Sequence, residues 1–225
     1  MRILVVVAHP DDAEFGCAGT VAKLAKSSEV FYLSCTSGEM GIEKNISVAR
    51  KRGIREGEQR KAAEILGVKK VFFLMEKDCE VENTFKLRKK TVAVIRKVKP
   101  NIVFTFDPAN TSFDNIYLFH SDHRNVALAA FDAVYPRAGN RNFGRGEPHK
   151  AKEFWFFGTD KPNKWVDISS TINLKINALL THRSQISGRW SENKIKRFVL
   201  SRAREAGKKK GMKYAEAFRV LKFPE

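Results

Sequence analysis

The chain has 225 residues, 43% hydrophobic and 30% charged, a balance that suits a folded globular core and excludes a disordered or fibrous polypeptide. No apolar run reaches bilayer length, and three cysteines without a Cys-x-x-Cys pair exclude a disulfide framework and leave reduced, buried thiols as the expectation. The formal net charge of +17 attracts anions such as phosphates, nucleic acid and acidic surfaces, although a lysine-rich solvated surface accounts for it more simply.

Arg2 to Ala8 is a continuous β-branched run of the kind found in parallel strands covered on both faces. It is too short for a signal peptide and shows no cleavage site, which points to a cytoplasmic protein. Glu14 to Lys26 has helical spacing through Phe15, Ala18, Val21, Ala22 and Ala25. Glu29 to Cys35 reads as a second strand, and Thr36 to Gly41 as a loop. Ser47 to Leu66 is a long charged helix with Gly67 as its C′ residue. Val71 to Met75 is a third strand, Thr84 to Val98 a helix stopped by Pro100, and Asn101 to Phe106 a fourth strand. A loop from Asp107 to Phe119 leads to a helix beginning near Ser121. Strand and helix alternate throughout, which predicts an α/β fold with a doubly wound, mostly parallel sheet and helices on both faces.

After Pro136 the pattern changes. Pro136 to Pro148 is rich in Gly, Arg and Asn and reads as a surface loop. Glu153 to Phe157 and Trp165 to Ile168 read as strands, Ser169 to Thr181 and Glu192 to Ala206 as helices. The last stretch carries Lys194, Lys196, Arg197, Arg202, Arg204, Lys208, Lys209, Lys210 and Lys213. Residues 136–225 are expected to extend the core of a single domain spanning 1–225.

Chemistry concentrates at two places. His9-Pro10-Asp11-Asp12 follows the first strand, and in open α/β sheets ligands sit outside the carboxyl ends of the strands. Where a strand opens into a turn, His9 and a carboxylate beyond Pro10 can converge on one ion while Asp11 faces another side of it. Zinc takes His nitrogen and Asp oxygen and keeps a position for water; of two adjacent carboxylates, one ligates and the other takes a proton. Alone, the motif reads equally well as a capped turn. A dinucleotide site is excluded by the lack of Gly-x-Gly-x-x-Gly after this strand. The second place, His120-Ser121-Asp122-His123, opens a helix beyond the fourth strand. Residues three apart share a face there, so one His can ligate while the other meets substrate, and Asp122 can hold a His ring by hydrogen bonding.

Ala8-His9-Pro10-Asp11-Asp12-Ala13-Glu14-Phe15-Gly16-Cys17-Ala18-Gly19-Thr20 resembles the signature of the LmbE/PIG-L-type deacetylases. In order along the chain, Thr36-Ser37-Gly38-Glu39 resembles that family's T-x-G-E loop, Arg55 to Gly67 its R-x-x-E helix, Pro100 to Thr105 its P-D-x-V-x-T strand, His120 to Arg124 its H-P-D-H-R run, and His182-x-Ser184-Gln185 its H-x-S-Q element. The resemblance implies a Rossmann-like fold and one Zn2+ per chain, or another divalent metal, held by His9, Asp12 and His123. It implies Asp11 as general base, His120 as general acid or cationic group beside the oxyanion, Asp122 orienting His120, and Arg55 on the substrate's sugar hydroxyls. It further implies hydrolysis of an N-acetyl group on a small N-acetylglucosamine-containing substrate, and a homo-oligomer. The net charge makes an anionic substrate worth including. Two alternatives remain at this point: an amidase acting on another N-acyl or thiol-conjugate substrate, and a basic nucleic-acid-binding protein with a vestigial metal site, which is not favoured. The segment from Pro108 to His120 is longer than the family's usual connection; Phe113, Ile116, Tyr117 and Phe119 are expected to form a substrate wall or lid, with Asp107 beside the site. His149 is expected on a surface loop. His182 is expected either to close a site in an oligomer or to support a helix end.

Overall fold

The computed structural model describes residues 1–110, 118–187 and 190–223. Seven strands form one sheet: β1 (Arg2–Val7), β2 (Glu29–Thr36), β3 (Lys70–Glu76), β4 (Ile102–Phe106), β5 (Glu153–Phe157), β6 (Lys164–Asp167) and β7 (Ala215–Lys222), in the order β3-β2-β1-β4-β5-β7-β6. The first five run parallel, and β7 is antiparallel to both of its neighbours. β1 is buried from Ile3 to Val7 and β4 along its whole length. That burial is why both read as uninterrupted apolar runs. The expected Rossmann-like, mostly parallel α/β fold is the one found.

The helices are α1 (Asp12–Gly16), α2 (Ala18–Leu24), α3 (Val48–Ile65), α4 (Phe85–Val98), α5 (Ser121–Asp132), α6 (Ile172–Leu179), α7 (Arg183–Ile186) and α8 (Glu192–Lys208). Four start on side-chain caps: Ser47 accepts from Arg50 N, Thr84 from Leu87 N, His120 from Asp122 N and Ser191 from Lys194 N. α8 turns Ile195, Val199, Ala203 and Gly207 inward every fourth residue. Its apolar side chains join Ile172, Ile176 and Leu179 of α6 in a second apolar cluster, and most of its cations lie on the exposed side. None of the described helices is long and apolar enough to cross a membrane.

Three features depart from expectation. The helix expected over 14–26 is broken at Cys17 (φ −147°), and α2 starts afresh with no local side-chain cap. Its first-turn N–H groups on Gly19 and Thr20 are instead taken by Glu216 of β7, at 3.0 and 2.7 Å. β7 itself was not expected, because its alternation is embedded in a lysine-rich context. The 136–148 segment is no loose surface loop: the buried Arg96 guanidinium donates to the carbonyls of Ala138, Asn140, Arg145 and Gly146.

The chain winds away from β1 in opposite directions, with β2 on one side and β4 on the other. The carboxyl ends of these two strands part at this switch point and open a crevice. Ala8 to Asp12 leaves β1 into that crevice, and the start of α5 faces it from the β4 side.

Candidate metal centre and active site

Three ligand-type atoms converge in the crevice. His9 Nδ1 lies 3.2 Å from His123 Nε2, and His123 Nε2 lies 3.2 Å from Asp12 Oδ1. The other Asp12 oxygen is fixed by the backbone N–H groups of Ala8 and His9, at 3.1 and 2.8 Å. Ligand atoms bound tetrahedrally at zinc's usual distances stand roughly 3.3 Å apart, close to both of these separations, and His120 also offers a ring nitrogen within 4.8 Å of those of His9 and His123. The chemistry of the set fits a metal ion as well: two imidazole nitrogens and a carboxylate oxygen crowd together with no cationic side chain between them.

The rings are oriented from behind. His9 Nε2 lies 3.1 Å from Asp122 Oδ2 and 3.0 Å from Asp78 Oδ1, carboxylates that hold a proton on Nε2 and, in the neutral ring, would leave the Nδ1 lone pair facing Asp12 and His123. Asp122 is fully buried and also accepts from Cys79 N (2.8 Å) and Val81 N (3.2 Å). Its carboxylate therefore orients His9, whereas the expectation had it on His120. Among the described residues His123 has no carboxylate behind it and its buried Nδ1 has no hydrogen-bond partner. Its ring stacks on Phe106, with centroids 4.2 Å apart and planes 13° off parallel.

Burial opposes charge on His9, yet hydrogen bonds to Asp12, Asp122 and Asp78 hold its pKa well above the usual histidine value. Burial likewise works against ionised Asp12, but His123 and His9 outweigh it and hold this carboxyl well below the usual range. For Asp11 burial wins: it raises the carboxyl, Arg55 counters the rise, and Asp12 adds to it. His120 is pushed down, first by burial and then by His9 and His123.

His120 caps α5, its Nδ1 accepting the backbone N–H of Asp122 at 3.2 Å. Its ring centroid is 5.0 Å from that of His9 and 5.2 Å from that of His123. A ring whose Nδ1 accepts carries its proton on Nε2, and the neutral form offers that N–H to a neighbouring oxygen.

Asp11 stands at the N-cap of α1, one residue before Asp12. Its carboxylate meets Arg55 Nη1 at 3.3 Å, and Arg55 Nη2 donates to Pro10 O at 2.7 Å. Arg55, expected on the substrate's sugar hydroxyls, is only 3% exposed, and its guanidinium braces the Pro10–Asp11 turn. A cavity of about 250 Å³ adjoins His123, lined by Phe106, Asp107, Asn110, Phe119 and Arg124 among others. Asp107 lies at its edge, paired with Arg219 of β7. Phe113, Ile116 and Tyr117, the expected wall or lid residues, lie outside the described residues.

The remaining sequence elements fasten this frame. Thr36 Oγ1 donates to Ala8 O (2.9 Å) and accepts from Gly38 N (3.1 Å). Gly38 has φ +65°, and the Arg55 guanidinium occupies the space its side chain would need. The H-x-S-Q element is a three-point clamp: His182 lies 3.3 Å from Glu14, Ser184 donates twice to Glu58, and Gln185 donates to Gly41 O. His182 is fully buried within its own chain. His149 reaches Pro100 O at 2.7 Å and ties the 136–148 segment to the end of α4.

Sequence reasoning missed Asp78, Gln59 and the inward role of Glu14. Asp78 sits beyond the carboxyl end of β3, and that position was its available signal. Gln59 stands one helical turn from Arg55 and shares its face.

Comparison with known proteins points the same way. The PIG-L (GlcNAc-PI de-N-acetylase) family profile matches residues 4–134. The diacetylchitobiose deacetylase of Thermococcus kodakarensis is 36% identical over 232 residues, covering 98% of this chain and 83% of that one. A probable N-acetyl-alpha-D-glucosaminyl L-malate deacetylase 2 of Bacillus cereus is 30% identical over 193 residues, covering 82% and 83%. The structure of N,N'-diacetylchitobiose deacetylase from Pyrococcus horikoshii, complexed with an inhibitor, superposes with a TM-score of 0.88 at 31% identity, covering 98% of this chain and 84% of that one.

Proposed function

The chain belongs to the PIG-L (GlcNAc-PI de-N-acetylase) family, and we propose that it is a zinc-dependent hydrolase that removes the acetyl group from an N-acetylglucosamine unit of a small sugar. The observation that carries this reading is the convergence of His9 Nδ1, His123 Nε2 and Asp12 Oδ1 next to Asp11. His9, Asp12 and His123 would hold the ion, which when bound supplies an activated water and charge stabilisation at the amide carbonyl.

The chain's own groups do the rest. Asp11 takes a proton from the attacking water, and burial, which raises its carboxyl pKa, makes it a stronger base than an exposed aspartate. His120 faces the carbonyl oxygen through Nε2–H. Its accepting Nδ1 and lowered pKa support a neutral ring that donates a hydrogen bond to the oxyanion. A neutral ring is a poor proton donor, so Asp11 returns the proton it took to the departing amine. Asp78 and Asp122 hold His9 with its lone pair forward. Arg55 keeps the Asp11 carboxylate in place.

The substrate class follows from relatives named for diacetylchitobiose and for N-acetylglucosaminyl malate. The test is acetate release by zinc-loaded protein from N-acetylglucosamine, its short oligomers, and glycosidic and phosphate-bearing derivatives, run beside Asp11→Ala. Release that requires Asp11 is expected for at least one of them. Failure of the whole panel, or equal release by Asp11→Ala, overturns the reading.

A further inference from the structure

Asp11 has an unusual backbone for its residue type. Its φ of +99° and ψ of −24° place a non-glycine residue in the left-handed region, which L side chains avoid. In that conformation its N–H points at α3 and donates to Gln59 Oε1 at 3.0 Å. Gln59 is 1% exposed, and its amide nitrogen donates to Glu14 Oε1 at 3.1 Å. The two partners leave the amide a single orientation, since a main-chain N–H only donates and a carboxylate only accepts. Behind Glu14, its second oxygen lies 3.3 Å from His182 Nε2, and both residues are fully buried.

We propose that Gln59, backed by Glu14, is a positioning relay that holds Asp11 in its left-handed conformation and so aims its carboxylate at the reacting water. α3 then grips Asp11 at two points one helical turn apart: Arg55 on the carboxylate and Gln59 on the main chain. Without the Gln59 oxygen, the Asp11 N–H loses its acceptor, and the contacts of Arg55 alone are left to oppose relaxation of φ to a negative value, which would swing the carboxylate away. The relay includes Glu14, the last acidic residue of the first motif; His182 lies 3.3 Å behind it, but the facing atoms make no hydrogen bond among the described residues. This rests on the reading of Asp11 as the proton-transferring group.

The test compares Gln59→Leu, Glu14→Leu and Glu14→Gln with wild type. Gln59→Leu is expected to lower kcat about 10- to 100-fold, as displacement of a reacting group does. KM should stay within about threefold, the pattern of a lost transition-state interaction, and bound metal per chain should be unchanged. Glu14→Leu should behave similarly, whereas Glu14→Gln, which keeps an oxygen for the Gln59 amide, should recover most of the activity. A second readout needs neither metal nor substrate: amide hydrogen exchange at Asp11 in the metal-free protein should quicken in Gln59→Leu while the core amides of Val5 and Phe104 stay protected. Wild-type kcat per bound metal in Gln59→Leu, or unchanged exchange at Asp11, overturns the proposal. If Gln59→Leu fails to fold, the Glu14 pair decides: equal kcat in Glu14→Leu and Glu14→Gln is the overturning result. Should wild type release no acetate from any substrate, the deacetylase reading fails, and exchange at Asp11 still decides whether Gln59 holds it.

Discussion

Gly38 lies so close to Arg55 that a Cβ at position 38 would stand 2.6 Å from the guanidinium. The glycine of one loop therefore sets where the arginine of the long helix can go, and the arginine in turn sets Asp11. Gly38→Ala should act through this chain of contacts. A left-handed conformation alone costs an alanine about 1–2 kcal/mol, and the clash adds to it. The expected result is a Tm several degrees lower together with a fall in kcat at saturating substrate. Wild-type turnover in the folded variant would show that Arg55 tolerates displacement.

Removing the base should separate metal binding from catalysis. Asp11→Ala keeps both histidines and Asp12, so metal content by elemental analysis should match wild type. Turnover should fall about 10²- to 10⁴-fold, the usual contribution of a positioned acid–base group. Loss of metal in step with activity would assign Asp11 to the ligand set instead.

Asp122→Asn tests the support behind His9. Such outer partners typically change metal affinity roughly 10- to 100-fold, and that shift is expected in a competition titration with a chelator. An unchanged affinity would mean that Asp78 alone fixes the ring.

The metal-free protein should have a stability maximum in mildly acidic solution. Burial opposes charge on His9, but its three carboxylate partners raise its pKa above the usual value of about 6.5. Its stabilisation is complete below that pH and is lost as pH rises through the raised value. Asp12 and Asp122 are shifted the other way: burial raises them, and histidine contacts bring both below about 3.8. Their contribution is present above that pH and is lost as pH falls through the lowered values. The Tm of chelator-treated protein should therefore peak between about pH 4 and 6.5. Zinc affinity should instead rise with pH, because ligation needs the neutral ring. A metal-free Tm that climbs steadily on the alkaline side would contradict this.

The clamp between α3 and α7 is a stability element. Ser184→Ala removes the hydroxyl's hydrogen bond to the Glu58 carboxylate (2.6 Å) and leaves the main-chain one (2.8 Å) in place. A loss of about 1.5–3 kcal/mol is expected for a bond to a charged group, seen as a lower urea midpoint, with kcat little changed. A selective loss of kcat would move the clamp into the catalytic machinery.

The gathering of His9, Asp11, Asp12 and His123 in one crevice was legible in the sequence because each stands within a few residues of a strand end or helix start, where local spacing dictates direction. Asp78 was not, because the segment beyond β3 has no pattern of its own and meets His9 only once the sheet is assembled. Arg55 was legible as a residue but not in its direction, which depends on the space left by Gly38. Asp122 was legible as an orienting carboxylate, yet its short reach across the crevice to His9, in place of its neighbour His120, is a property of how α5 docks. The break between α1 and α2 depends on a cap from Glu216, about two hundred residues distant, and no local reading of residues 12–24 contains it.

β7 is the last strand in the chain but lies second from the edge of the sheet, between β5 and β6. During synthesis the amino-terminal part of a chain emerges and begins to fold first. Here β6 has no strand to pair with, the start of α2 has no carboxylate, and Asp107 has no arginine until residues 215–222 have left the ribosome. Assembly of the β6 edge thus waits for residues 215–222, and a ribosome stalled before residue 215 would hold a nascent chain with an open sheet edge at β5, exposed to pairing with other strands.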